Sequence, residues 1–137
     1  MGGRGSSGGK SIGEATRENS YEKAIDNLQT PKESVFSDSK ISPLAYDGSK
    51  LMEVNFGDWR TPENDKGIHE VNISDIVTTQ PNVQSGKLKN FKGDIDTSDV
   101  ALLKIDEKYY VPDGNHRIVA SLLKGQKKIR VRVYERK

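Results

Sequence analysis

Between residues 100 and 134 the chain leaves little choice about what it can fold into: apolar residues run, turn, alternate, cluster at helical spacing and alternate again. Residues 100–105 are an apolar run of strand length, Asp106-Glu107-Lys108 is a turn, and Tyr109-Tyr110-Val111 reads as the hairpin partner. Pro112 and Gly114 mark a second turn. Beyond it Ile118, Val119, Ala120, Leu122 and Leu123 form the buried face of a short helix stopped by Gly125. Ile129, Val131 and Val133 then alternate with Arg130, Arg132 and Tyr134, the clearest strand pattern in the chain. A hairpin followed by a helix and a further strand predicts a small α+β domain.

Upstream the pattern is looser. Residues 70–77 hold Val71 and Ile73 at strand spacing and lead through Ile76-Val77 into Thr78-Thr79-Gln80-Pro81, so a strand is expected there. Residues 82–99 are polar and read as a loop with one helical turn near 87–91. Leu51, Glu53 and Asn55 set against Met52, Val54 and Phe56 suit a half-buried strand ending at Gly57, with Trp59 as a core anchor. Residues 30–50, rich in Pro, Ser, Asp and Gly, read as linker. Asn19 followed by Glu22 resembles a capping box, and Tyr21, Ala24, Ile25 and Leu28 fall at helical spacing before Pro31, which predicts a helix over 20–29. Such a helix either packs back onto the domain or docks a partner from the end of a flexible tail. The first thirteen residues hold six glycines and three serines, too little apolar mass to offset the entropy of ordering them. The expected organisation is a tail over 1–18, a short helix and linker over 19–50, and one folded domain over 51–137.

Composition closes off several classes of function. With 32% hydrophobic residues against 31% charged and a mean hydropathy of −0.77, the 137 residues can build only a small core. No apolar run approaches the ~20 residues that span a bilayer, and the glycine-rich start lacks the hydrophobic stretch of a secretion signal, so a soluble, cytoplasmic protein is expected. The absence of cysteine removes disulfides, thiolate metal sites and thiol nucleophiles together. His69 and His116 are the only histidines, so a metal would rest on carboxylates and be hard, magnesium or manganese. Charge is unevenly spread: residues 124–137 carry seven basic side chains against Glu135, a net +6, which leaves −4 on the rest of a chain whose total is +2. Lys127, Lys128, Arg130 and Arg132 in that stretch are candidate nucleic-acid contacts, although a solvated terminal strand looks the same.

Chemistry concentrates at Asp113-Gly114-Asn115-His116-Arg117, where the predicted hairpin ends and the helix begins. The unpaired N–H groups of a first helical turn carry roughly half a positive charge and favour phosphate or carboxylate. Gly114, Asn115 and His116 would offer backbone amides to a phosphate, and Arg117 a two-pronged contact to its oxygens. His116 is the candidate general base or further donor and Asp113 would orient it or hold magnesium, which makes these two the candidate catalytic pair. Plain architecture accounts for the same residues, with Asn115 as a helix cap, His116 as a hydrogen-bonded side chain and Asp113 as a turn former. Asp94, Asp96 and Asp99 form the densest acidic group, which suits either metal-assisted phosphodiester hydrolysis or a solvated loop. Their spacing is not that of a calcium loop, and no lysine phosphate loop, serine triad order or zinc signature occurs, so no metal ligand set is assigned.

The order strand, polar loop, hairpin, Gly-x-x-Arg turn, apolar helix, glycine, basic strand resembles the ParB/sulfiredoxin superfamily. The resemblance covers residues 68–136 and is carried by Glu70-Val71-Asn72-Ile73-Ser74-Asp75-Ile76, Gln80-Pro81, the string from Tyr110 to Ala120 around the turn, Gly125 and Ile129-Arg130-Val131. It implies a small mixed sheet with a helix after the turn, and nucleotide phosphates held by the Gly-x-x-Arg turn and that helix. Sulfiredoxins place their catalytic cysteine immediately before the His-Arg pair, where this chain has Asn115, which excludes sulfinic-acid reduction by that route. ParB proteins of chromosome partition carry a Gly-Glu-Arg-Arg-like box and continue into helix-turn-helix and dimerisation domains, so partition is not the expected role. What remains looks like the stand-alone ParB-like domains of phages, plasmids and toxins, some of them nucleases and some nucleotide-dependent enzymes. The glycine-serine opening is similar to that of some phage and prophage proteins. The expected partner is a nucleotide or a nucleic acid in the cytoplasm of a bacterium or a phage-infected host. Two readings follow: hydrolysis of a phosphodiester or nucleotide, with magnesium as the expected metal, or non-catalytic binding of DNA or nucleotide.

Overall fold

The computed structural model describes residues 12–32, 38–112 and 115–136. In chain order the elements are α1 (Ile12–Asp26), β1 (Ser39–Ile41), β2 (Ala45–Tyr46), α2 (Leu51–Phe56), β3 (Asp65–Asn72), β4 (Ile76–Thr78), β5 (Asn82–Gln84), α3 (Ser85–Lys89), β6 (Ala101–Ile105), β7 (Lys108–Val111), α4 (Asn115–Leu123) and β8 (Lys128–Glu135). Single 3-10 turns occupy Gly48–Lys50 and Ile73–Asp75. The expected hairpin forms from β6 and β7, paired antiparallel and closed at Asp106, whose φ of 55° is a left-handed conformation that aspartate tolerates. Helix α4 is stopped as its sequence predicts. Gly125 takes φ 97°, its N–H reaches the Leu122 carbonyl at 3.0 Å and the Gln126 N–H reaches that of Ser121 at 3.0 Å, the two bonds of a Schellman motif.

Six strands make one mixed sheet in the order β2-β4-β7-β6-β8-β3, while β1 and β5 form a separate antiparallel pair. β4 runs parallel to both β2 and β7, β6 is parallel to β8, and the pairs β6–β7 and β3–β8 are antiparallel. Strand alternation divides the apolar residues between two faces. Ile76, Leu102, Val111, Ile129, Val131 and Val133 are buried with Tyr21 and Ile25 of α1, Leu88 of α3, and Ile118 and Val119 of α4. Val77, Leu103 and Tyr110 are buried in a second cluster with Val54 of α2 and with Trp59. A sheet covered on both sides suits its parallel pairs, and each fully buried Leu, Ile or Val contributes roughly 1.5–3 kcal/mol. The result is the small α+β fold that the sequence predicts.

Several local expectations are corrected. Residues 51–59 are not a strand: 51–56 are helical, and of Met52, Val54 and Phe56 only Val54 is buried, the other two being 68% and 73% exposed. The period-two pattern there is chance, and the helix follows from the turn before it, where the Asp47 carboxylate accepts the Ser49 N–H at 3.0 Å and starts the 3-10 turn that runs into α2. Trp59 is a core anchor, 1% exposed, and its indole N–H donates to the Val54 carbonyl at 2.9 Å. The helix expected over 20–29 spans Ile12–Asp26, so Asn19 and Glu22 lie within it and residues 12–18, expected in the tail, are helical. Tyr21 and Ile25 fasten its second half to the core, and Glu14, Ala15, Arg17 and Glu18 extend it backward at little cost. The rest of the expected tail, 1–11, lies outside the described residues.

Residues 30–50, expected as linker, carry β1, β2 and the buried Leu44. The strand expected over 70–77 begins at Asp65 and is split by the turn at Ile73–Asp75, which sends β3 to one edge of the sheet and β4 towards the other. The polar stretch 82–99 contains β5 and α3, the latter near the helical turn expected at 87–91. Among the described residues no helix is long and apolar enough to cross a membrane.

Candidate functional site

Strand β7 lies inside the sheet between β4 and β6, and the chain leaves its C-terminal end through Pro112 to enter α4. The parallel pairings set Tyr46 beside Thr78 and Thr78 beside Val111, so three strands end at this edge of the sheet. Ligand crevices in sheets with parallel strands open at such carboxyl ends. Asp113 and Gly114 lie outside the described residues, and of the five-residue motif the structure describes the helical backbone from Asn115 onward and the side chains of His116 and Arg117.

The His116 ring is half-buried, and its Nε2 accepts the backbone N–H of Gln84 at 3.0 Å. Gln84 is the last residue of β5 and stands immediately before α3, so this bond ties the first turn of α4 to the start of α3. A nitrogen that accepts an amide proton carries none of its own, which places the proton of the neutral ring on Nδ1. Burial, reinforced by the nearby Lys87 ammonium, pushes the His116 pKa below its ordinary value.

Arg117, one residue on, points elsewhere. Its Nη1 donates to Oδ1 of Asp99 at 2.5 Å and lies 3.5 Å from the Asp96 carbonyl oxygen. Both partners of the Arg117–Asp99 pair remain open to solvent, with 42% and 71% of their side-chain surface exposed. Ser121, one turn further along α4, donates its hydroxyl to the Arg117 carbonyl at 2.9 Å.

The three aspartates do not converge. The Asp96 carboxylate turns back on its own loop, accepting the Ser98 N–H at 2.9 Å and the Ser98 hydroxyl at 2.7 Å, bonds that hold its pKa below the usual carboxylate range. Asp99 is engaged by Arg117. Among the described residues no three His, Cys, Asp or Glu side chains gather as a metal-binding group.

The basic strand is interior rather than an edge, since β3 covers its outer side. Of the four candidate contact residues, Arg132 and Lys128 have acidic partners on β3. Arg132 Nη1 reaches both carboxylate oxygens of Asp65, at 2.9 and 2.8 Å, and Lys128 Nζ lies 4.0 Å from Glu70. Arg130 stands opposite Glu70 in the register, and Lys127 is exposed in the turn before β8.

Sequence reasoning missed a cleft of about 660 Å³ bounded by α1, residues 93–98, the C-terminal half of α4 and the start of β8. In its wall the Lys124 ammonium sits 4.2 Å above the Tyr21 ring, partly desolvated so that its pKa is lowered, with Glu18 and Asp94 acting in the opposite sense. The Tyr21 hydroxyl donates to the Leu88 carbonyl, and burial pushes its pKa up to about 12. The pairing of Arg117 with Asp99 and the bond from Gln84 to His116 were missed as well. Each joins residues 18 or more positions apart, and no spacing rule in a single sequence connects them. The chain matches no family model, no curated protein and no solved structure.

Proposed function

We propose that the chain binds the phosphate of a nucleotide or of a nucleic acid at the turn 113–117, as a non-catalytic module of the ParB-like kind its sequence resembles. The observation that carries this reading is the side chain of Arg117. It stands on the first turn of α4, at the end of an interior strand, half-exposed and holding an oxyanion, the Asp99 carboxylate. A guanidinium beside the free N–H groups of a helix start is a combination that suits phosphate oxygens.

Between binding and hydrolysis, His116 weighs for binding. Its Nε2 lone pair is committed to the Gln84 amide and its other nitrogen carries the proton, so the ring as it stands donates rather than abstracts. The test is titration of the whole chain with nucleotides and short DNA at two salt concentrations, with and without magnesium. The proposal expects binding without turnover, and a loss of about tenfold or more in Arg117→Ala with circular dichroism and Tm unchanged. Magnesium-dependent cleavage or phosphate release would replace it with the hydrolytic reading, in which Asp113 and His116 carry the chemistry. No binding by any of these ligands would refute both.

A further inference from the structure

The cleft between α1, residues 93–98, the end of α4 and the start of β8 measures about 660 Å³. Pockets that take small molecules run from roughly 300 to 1,000 Å³. Ile95, Leu123 and Ile129 give it an apolar surface that is continuous with the core. Its charged lining is balanced, with Glu18, Asp94 and Asp96 against Lys124, Lys128 and Arg130. A plain anion would meet the acids and a plain cation the bases, so the lining favours a molecule that carries both signs.

Three of these side chains are open to such a molecule. The Lys124 ammonium is held 4.2 Å above the Tyr21 ring, partly stripped of water, and the Asp94 carboxylate is near enough to favour its charged form. Yet among the described residues neither Lys124, Asp94 nor Arg130 enters an ion pair. Asp96 by contrast is satisfied by Ser98, and Lys128 has Glu70 at 4.0 Å. Opposite charges that line one cleft without closing on each other can each take the complementary end of a ligand, in hydrogen bonds strengthened by charge and by the apolar wall beside them. Ser121 and Thr97 also line the cleft, 2% and 5% exposed, and their hydroxyls already donate to the Arg117 and Arg130 carbonyls. What they offer a ligand is a lone pair, which suits an ammonium or amide N–H.

We infer that this cleft binds a zwitterion with an apolar body, an apolar α-amino acid or a short peptide with both ends free, its carboxylate on Lys124 and Arg130 and its ammonium on Asp94. The site is separate from the turn at 113–117 and does not depend on the phosphate reading. It is tested by titrating the whole chain with leucine and with the dipeptide Leu-Leu, followed by calorimetry and by ¹H–¹⁵N spectra. Each is compared with its N-acetylated and its C-amidated form.

At least one free zwitterion is expected to bind, with shifts concentrated in residues 93–98 and 121–130, and capping either end should cost about tenfold or more. Tighter binding of Leu-Leu assigns the cleft to peptides, and tighter binding of leucine to amino acids. Lys124→Met keeps the stem on Tyr21 and removes the charge, and Asp94→Asn changes only an exposed loop side chain. Each should weaken binding about fivefold or more, while Arg117→Ala leaves it unchanged. Equal binding of capped and free forms, shifts confined to residues outside the cleft, or wild-type affinity in both Lys124→Met and Asp94→Asn overturns the inference. So does the absence of binding by either zwitterion.

Discussion

The imidazole of His116 is held by a bond in which its Nε2 is the acceptor, and that bond cannot survive protonation of the same nitrogen. Its pKa in the folded chain lies below the ordinary 6.5, chiefly through burial and then through Lys87, so at mildly acidic pH the unfolded chain binds more protons than the folded one. Stability therefore rises with pH across this window: the contribution is complete above about pH 6.5–7 and is lost as the pH falls from there towards the folded pKa. Thermal melts of the wild type should be level near neutral pH and decline below it. His116→Gln offers an amide oxygen that can accept the Gln84 N–H without titrating, so its melts should decline less steeply over the same range. Superimposable pH profiles for the two proteins would show that the ring nitrogen does not bear on stability. The sequence gives notice of His116 but not of this role, because its partner is a backbone amide 32 residues earlier.

Helix α4 shows what a short element needs in order to exist. Nine residues are too few to be stable on propensity, and the helix is held by Ile118, Val119 and Ala120, all fully buried, and by the way it ends. Gly125 at φ 97° closes that end, and a Cβ added there would meet nothing within 4 Å, so any cost of Gly125→Ala is conformational rather than steric crowding by neighbours. It should amount to about 1–2 kcal/mol, enough to lower Tm by several degrees in a domain of this size. A Tm change within error in calorimetry would show that the left-handed conformation is not required. This helix was legible because its apolar spacing, its glycine stop and its packing agree. Helix α2 was not, because a six-residue segment with one buried side chain satisfies the strand and helix patterns equally, and the Asp47–Ser49 turn that decides between them lies outside it. Helix α1 was half legible: Tyr21 and Ile25 mark the part that packs, while its start depends on propensity spreading from that anchor.

At the scale of the molecule, the strand order β2-β4-β7-β6-β8-β3 decides which charges face solvent, and it is the least legible property of the sequence. Neighbouring strands such as β3 and β8 are joined by pairings as distant as Asp65 with Tyr134, which no local pattern specifies. Reading along the chain, the positive end from 124 to 137 resembles a polyanion-binding edge. In the folded sheet β3 lies against it and brings Asp65 and Glu70 to Arg132 and Lys128. The consequence is measurable in the salt dependence of binding. If Arg117 and the four residues Lys127, Lys128, Arg130 and Arg132 all contacted duplex phosphates, the slope of log K against log salt would approach about −4.5. With Arg132 and Lys128 paired internally, Arg117, Lys127 and Arg130 remain, and the slope should be no steeper than about −2.7. Lys128→Ala should then leave it nearly unchanged, and Asp65→Asn, which frees Arg132, should steepen it. A wild-type slope near −4 would mean that the β3 acids give way to the nucleic acid on binding, and that the whole basic strand, rather than the turn alone, forms the contact surface.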